Sequence, residues 1–140
     1  MIGIIVSGHG NFASGIMSSL ELIAGKQEKV IGIDFTIEDN TESLESKLRA
    51  AANELIDCEG ILFLTDIVGG TPFKTCALLT QNIENSKVIA GTNLGMLLEV
   101  SLSRESATVE ELKNMSLESG KNAIKAYETK AKKQVSSNGI

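Results

Sequence analysis

A chain of 140 residues with a net charge of −5 is long enough for one domain with a substantial core, and too acidic to neutralise a nucleic-acid backbone. Four Phe, one Tyr and no Trp leave little for base stacking, so no nucleic-acid partner is expected. No apolar run approaches the roughly 20 residues of a membrane span, and the N-terminal run lacks the basic start of a signal peptide, so a cytoplasmic location is expected.

The first apolar run, residues 2–6, leads into Ser7-Gly8-His9-Gly10, and three more runs follow at 30–35, 61–65 and 88–90. None alternates polar with apolar, so each fits a strand covered on both faces, as in a parallel sheet between helix layers. After the first run, Ala13, Ile16, Leu20 and Ile23 keep a helical spacing that Gly25 stops. After the second, Leu44, Leu48, Ala51 and Leu55 form another stripe, with Glu45 and Arg49 four apart on its surface. The third run ends at Asp66 and passes through Gly69-Gly70 to Thr71-Pro72, where a helix opens with Thr71 as N-cap and carries Phe73 and Cys76 inward.

The fourth run leads through Gly91-Thr92-Asn93-Leu94-Gly95 into a leucine-rich stretch that ends near Leu102. Thr108 and Glu111 then form a capping box ahead of a last helix bearing Leu112, Met115, Ala123 and Tyr127. Met96 and Met115 read as core filling. Cys58 and Cys76 fall in helical segments without metal-ligand spacing and read as buried, reduced thiols. From about Thr129 the periodicity ends, so a domain over 1–128 and a frayed tail over 129–140 are expected.

This pattern predicts an α/β fold, a doubly wound, mainly parallel sheet of strand order 2-1-3-4 with helices on both faces. In that order the ligand crevice lies beyond the carboxyl ends of strands one and three. His9 follows strand one and Asp66 ends strand three, so the topology brings the only imidazole to a carboxylate. A carboxylate bonded to one ring nitrogen fixes the tautomer and leaves the other as a lone-pair nucleophile. Such an imidazole can carry a phosphoryl group as a labile N–P bond.

Gly10, Gly69, Gly70 and the Thr71 hydroxyl, with the helix N-termini behind them, are the candidate phosphate donors. The P-loop and dinucleotide fingerprints are absent. Asp34, at the end of strand two, lacks an acidic neighbour and reads as a surface carboxylate. No metal site and no cofactor are expected.

Gly8-His9-Gly10 with Phe12-Ala13, Phe63-Leu64-Thr65-Asp66 with Gly69-Gly70-Thr71-Pro72-Phe73, and Gly91-Thr92-Asn93-Leu94-Gly95-Met96-Leu97 together resemble the enzyme IIA component of the mannose family of the bacterial sugar phosphotransferase system. The likeness covers about the first 125 residues. It implies that His9 accepts a phosphoryl group from the phosphocarrier protein HPr and hands it to a IIB component, with Asp66 orienting the ring and Thr71 contacting the phosphate. It implies a homodimer that exchanges a C-terminal strand, which joins the partner's sheet antiparallel; residues 124–130 are the segment expected to do so, although they read equally well as helix. Sugar recognition would belong to membrane IIC and IID components, and the IIB component is expected on a separate chain.

Many members of that family carry proline where Gly95 stands. Two other readings fit the same residues: the phosphotransferase subunit that serves dihydroxyacetone kinase, and a non-enzymatic α/β module that binds a metabolite anion. The leucine-rich stretch at 94–102 is a second, weaker ground for self-association, because it is more apolar than one exposed helix face.

Overall fold

The computed structural model describes residues 1–130. Four strands, β1 (Ile2–His9), β2 (Val30–Phe35), β3 (Gly60–Thr65) and β4 (Ser86–Ile89), form one sheet of order β2-β1-β3-β4. Every ladder between them is parallel. Five helices connect them: α1 (Phe12–Ala24), α2 (Thr41–Glu54), α3 (Thr71–Thr80), α4 (Leu94–Ser103) and α5 (Val109–Asn122). The strand order is the expected 2-1-3-4, and the helices on both faces are those expected from the continuous apolar runs. Among the described residues no helix is long and apolar enough to cross a membrane.

The two-residue period of a strand divides the core in two. Ile2, Ile4 and Val6 of β1 pack with Leu62 and Leu64 of β3 against α1, α4 and α5. Ile5 packs with Ile61 and Phe63 against Leu44, Leu48, Ala51 and Leu55 of α2 and its C-cap, and Cys76 and Leu79 of α3. β1 is buried from Ile2 through Gly8 and only His9 emerges, so the central strand delivers that imidazole from the most rigid part of the sheet. Gly8 lets α1 begin close by, since a Cβ there would lie 2.5 Å from the Phe12 ring.

Several sequence expectations shift. β4 starts at Ser86 rather than Val88, because Ser86 and Lys87 pair with Ile61 and Leu62; ladder pairing, not side-chain apolarity, sets that boundary. Thr71 is the first helical residue of α3, and Gly70 is its N-cap. Cys58 lies in the bend after α2, half-buried, whereas Cys76 is a buried thiol of α3. α5 stops at Asn122, so Tyr127 lies outside it. Beyond Ala123 the chain finds no packing to prolong the helix, and Ile124 and Tyr127 are 77% and 89% exposed.

Residues 124–130 form neither helix nor strand in the single chain. The tail expected at 129–140 lies, but for its first two residues, outside the described residues. The leucine-rich stretch also weakens as a ground for self-association. Met96, Leu97 and Val100 of α4 are buried in the chain's own core, leaving Leu102 as its exposed apolar residue.

The turn from β2 into α2 is held by one carboxylate. Asp39 Oδ2 accepts from the Thr36 N–H at 2.8 Å, the Thr36 hydroxyl at 2.9 Å and Lys47 Nζ at 2.9 Å, while Oδ1 accepts from the Ser43 hydroxyl at 2.8 Å. The Thr36 N–H, then Lys47 and Ser43, hold the Asp39 carboxyl well below the usual carboxylate range. A depressed native pKa means that the unfolded chain binds the proton more readily, so this stabilisation is complete at neutral pH and fades as acid titrates the folded carboxylate. Asp39→Asn should therefore destabilise the protein most at pH 7, with the gap from wild type narrowing below about pH 4. Urea denaturation of both proteins across that range measures it, and a gap independent of pH would remove the charge from the account.

Candidate functional site

His9 and Asp66, 57 residues apart, meet at the carboxyl ends of β1 and β3. His9 Nδ1 lies 2.7 Å from Asp66 Oδ2, and the same oxygen accepts the His9 backbone N–H at 2.8 Å. Asp66 Oδ1 accepts the Ile67 N–H at 2.7 Å. The carboxylate thus grips both the ring and the backbone of one residue, and it cannot swing without losing two bonds. Burial pushes the Asp66 pKa up, but the His9 N–H, the His9 ring and the Ile67 N–H outweigh it, and the net pKa is lowered. Asp66 is a carboxylate at neutral pH.

With Nδ1 donating to a carboxylate, the lone pair of the neutral ring resides on Nε2. The His9 side chain is 47% exposed. Phe35 at the end of β2 meets the ring edge-on, with centroids 5.8 Å apart. On the other side the ring lies against Gly70: a Cβ at that position would stand 2.7 Å from His9 Cε1 and 3.4 Å from Nε2. Gly70 is therefore a glycine because the imidazole needs the space.

The helix N-termini at this mouth are unequal. At α1, Asp34 Oδ1 accepts the Ser14 N–H at 2.9 Å, so a carboxylate already occupies that positive end. Asp34 is thus an α1 cap supplied from β2, a role its sequence position did not reveal. At α3, the Gly70 N-cap offers no side chain. The N–H groups of Thr71 and Phe73, in the first turn, are free of the helix ladder by its geometry, and Pro72 has none. The open anion-binding end is the one beside Nε2.

Of the residues expected to hold phosphate, Gly69 (φ +81), Gly70 and Thr71 lie on this loop and helix start. Gly10 differs. Its N–H donates to the Phe35 carbonyl at 2.7 Å, so it is not a free donor; its φ of +61 turns the chain from β1 towards α1. Gly70's own N–H is directed at the Ile67 carbonyl, 3.3 Å away. Among the described residues no cluster of His, Cys, Asp or Glu could hold a metal ion. Sequence reasoning missed Phe35 and the Ile67 N–H; neither residue type carries a motif, and only the sheet register brings Phe35 opposite His9.

Residues 3–117 match the family model described as PTS system fructose IIA component. The chain is 33% identical to the fructose-specific EIIA component of Bacillus subtilis over 81% of this chain and 78% of that protein. It is 35% identical to the mannose-specific EIIAB component of Escherichia coli over 92% of this chain, and spans 40% of that relative's length. Among solved structures it resembles a phosphotransferase system component EIIA from Streptococcus agalactiae, with 41% identity, a TM-score of 0.83, and coverage of 90% of this chain and 97% of that one.

Gly70→Ala should keep the fold and displace the imidazole. The His9 Nδ1 proton signal in ¹⁵N-edited NMR should shift or broaden away, while circular dichroism stays that of wild type. An unchanged Nδ1 signal would show that the ring does not depend on the space Gly70 leaves.

Proposed function

This chain belongs to the mannose-type enzyme IIA family of the sugar phosphotransferase system, and we propose that residues 1–128 act as a phosphoryl carrier between HPr and a IIB component. The observation that carries the reading is the pairing of Nδ1 with Asp66, which leaves Nε2 as the nucleophile beside the uncapped start of α3. Nε2 attacks the phosphorus of the donor's phosphohistidine. The donor N–P bond breaks with its electron pair returning to the donor nitrogen, and a new N–P bond forms at Nε2.

Phosphorylated His9 keeps its Nδ1 proton and acquires cationic character, which Asp66 balances across the hydrogen bond. The migrating phosphoryl oxygens fall to the Thr71 N–H and hydroxyl and the first turn of α3. One N–P bond replaces another, so the task of the site is positioning and charge stabilisation rather than driving a steep reaction. Transfer onward to a IIB histidine reverses the same steps. Ile67 and Val68, 59% and 71% exposed beside Asp66, give a protein partner an apolar edge at the mouth.

The same reading includes a homodimer. β4 is an edge of the sheet, and beside it a groove of about 510 Å³ is lined by Phe73, Val88, Ile89 and Leu117. Residues 124–130 supply exposed Ile124 and Tyr127, which fits a segment that adds to a partner's edge strand.

Incubation with phosphorylated HPr should place one acid-labile phosphate on His9 and none on His9→Ala. Asp66→Asn should slow transfer about 10- to 100-fold, as loss of an orienting partner does, and Thr71→Ala by about tenfold or less, the worth of one hydrogen bond. An acid-stable phosphate, or transfer undiminished in Asp66→Asn, would overturn the assignment. Sedimentation equilibrium at micromolar concentration should give twice the 14.9 kDa chain mass; a concentration-independent monomer would reject the dimer.

A further inference from the structure

The loop between β4 and α4 does more than connect them. Gly91 donates its N–H to the Asp66 carbonyl at 2.8 Å, and Thr92 gives the Thr65 carbonyl both its N–H at 3.1 Å and its hydroxyl at 2.7 Å. The peptide groups on either side of the Asp66 α-carbon are therefore both held by this loop. Asp66 in turn holds the His9 ring and backbone. A shift of the loop must change the angle at which the carboxylate meets Nδ1.

The loop is itself anchored by Asn93. Its Oδ1 accepts the Met96 N–H at 2.9 Å and caps α4, while its Nδ2 donates to the Gly120 carbonyl at 2.9 Å in the last turn of α5. Small residues close the seam around that amide. A Cβ at Gly95 would stand 2.6 Å from the Ala123 Cβ, and one at Gly120 would stand 2.7 Å from Met96 Cε. The start of α4 and the end of α5 thus approach closely at these two points, and the Asn93 side chain bonds to both.

We propose that Asn93 is a positioning residue for His9: by tying the Gly91–Thr92 brace to the end of α5, it sets the orientation of Asp66 and, through it, of the imidazole. The kinetic consequence rests on the phosphoryl-carrier reading, whereas the effect on the ring does not. A residue that merely capped α4 would need its Oδ1 alone. The tether needs Nδ2 as well, and the two can be separated.

Asn93→Asp keeps an oxygen to cap Met96 and places a negative charge where a helix start favours it, but has no N–H for the Gly120 carbonyl. Asn93→Ser also retains a capping oxygen without the amide donor. Both should fold, with melting temperatures within a few degrees of wild type. In both, the His9 Nδ1 proton signal should weaken or shift in ¹⁵N-edited NMR. Transfer from phosphorylated HPr should slow about tenfold, the lower end for a lost outer-shell contact, with the donor concentration for half-maximal rate unchanged.

Wild-type ring signals and wild-type rates in both variants would overturn the proposal and leave Asn93 as a cap. Altered ring signals in variants of a wild-type protein that accepts no phosphoryl group would support the tether and reject the carrier reading instead.

Discussion

One hydrogen bond, between His9 Nδ1 and Asp66 Oδ2 at 2.7 Å, fixes the tautomer and orientation of a half-exposed imidazole. Without it either ring nitrogen could carry the proton, and the ring could rotate about its side-chain bonds. With it the lone pair is assigned to Nε2, close to Gly70 at the start of α3. The bond survives partial exposure because the same carboxylate oxygen also accepts the His9 backbone N–H, so ring and main chain are fixed to a common point. The Ile67 N–H on the other oxygen keeps the carboxylate from turning.

The sheet exists, in functional terms, to bring those two residues together. β1 and β3 are the central pair and are buried along nearly their whole length. Ladder register aligns Ser7 with Thr65, so His9, two residues on, and Asp66, one residue on, emerge at the same end of the sheet. Burying a large apolar side chain contributes about 1.5–3 kcal/mol, and the fully buried Ile4, Ile5, Leu62, Phe63 and Leu64 all lie just beneath the site. His9 and Asp66 are thus mounted on the two most buried strands of the sheet.

Charge placement then decides which way an anion can approach. Two helices start at the mouth, and both present positive ends. Asp34 consumes that of α1. α3 begins with Gly70, Thr71 and Pro72, a start with no capping side chain. A glycine N-cap costs the helix only a few tenths of a kcal/mol against a good N-cap residue, and it leaves the N–H groups of Thr71 and Phe73 for a ligand. Gly70 serves a second need at the same point, since any larger residue would meet the His9 ring.

The amino-acid sequence by itself determined the α/β class and singled out His9 and Asp66, because continuous apolar runs, glycine-flanked strand ends and a lone histidine are local signals with a direct physical meaning, whereas the strand order is set by pairing between elements. The capping box at Thr108 and Glu111 was equally legible, being a contact within one turn. Other features were decided by the tertiary structure. Whether Gly10 offers or spends its N–H depends on Phe35, which the register of β2 brings opposite. Whether Asp34 is a bystander or a cap depends on where α1 begins. How the leucines of α4 are covered depends on the packing of α1 and α5, and the role of Asn93 on the Gly120 carbonyl, 27 residues away. Periodicity reports which side of an element is apolar, but the partner of a polar group is set by distances between elements, and those exist only once the chain has folded.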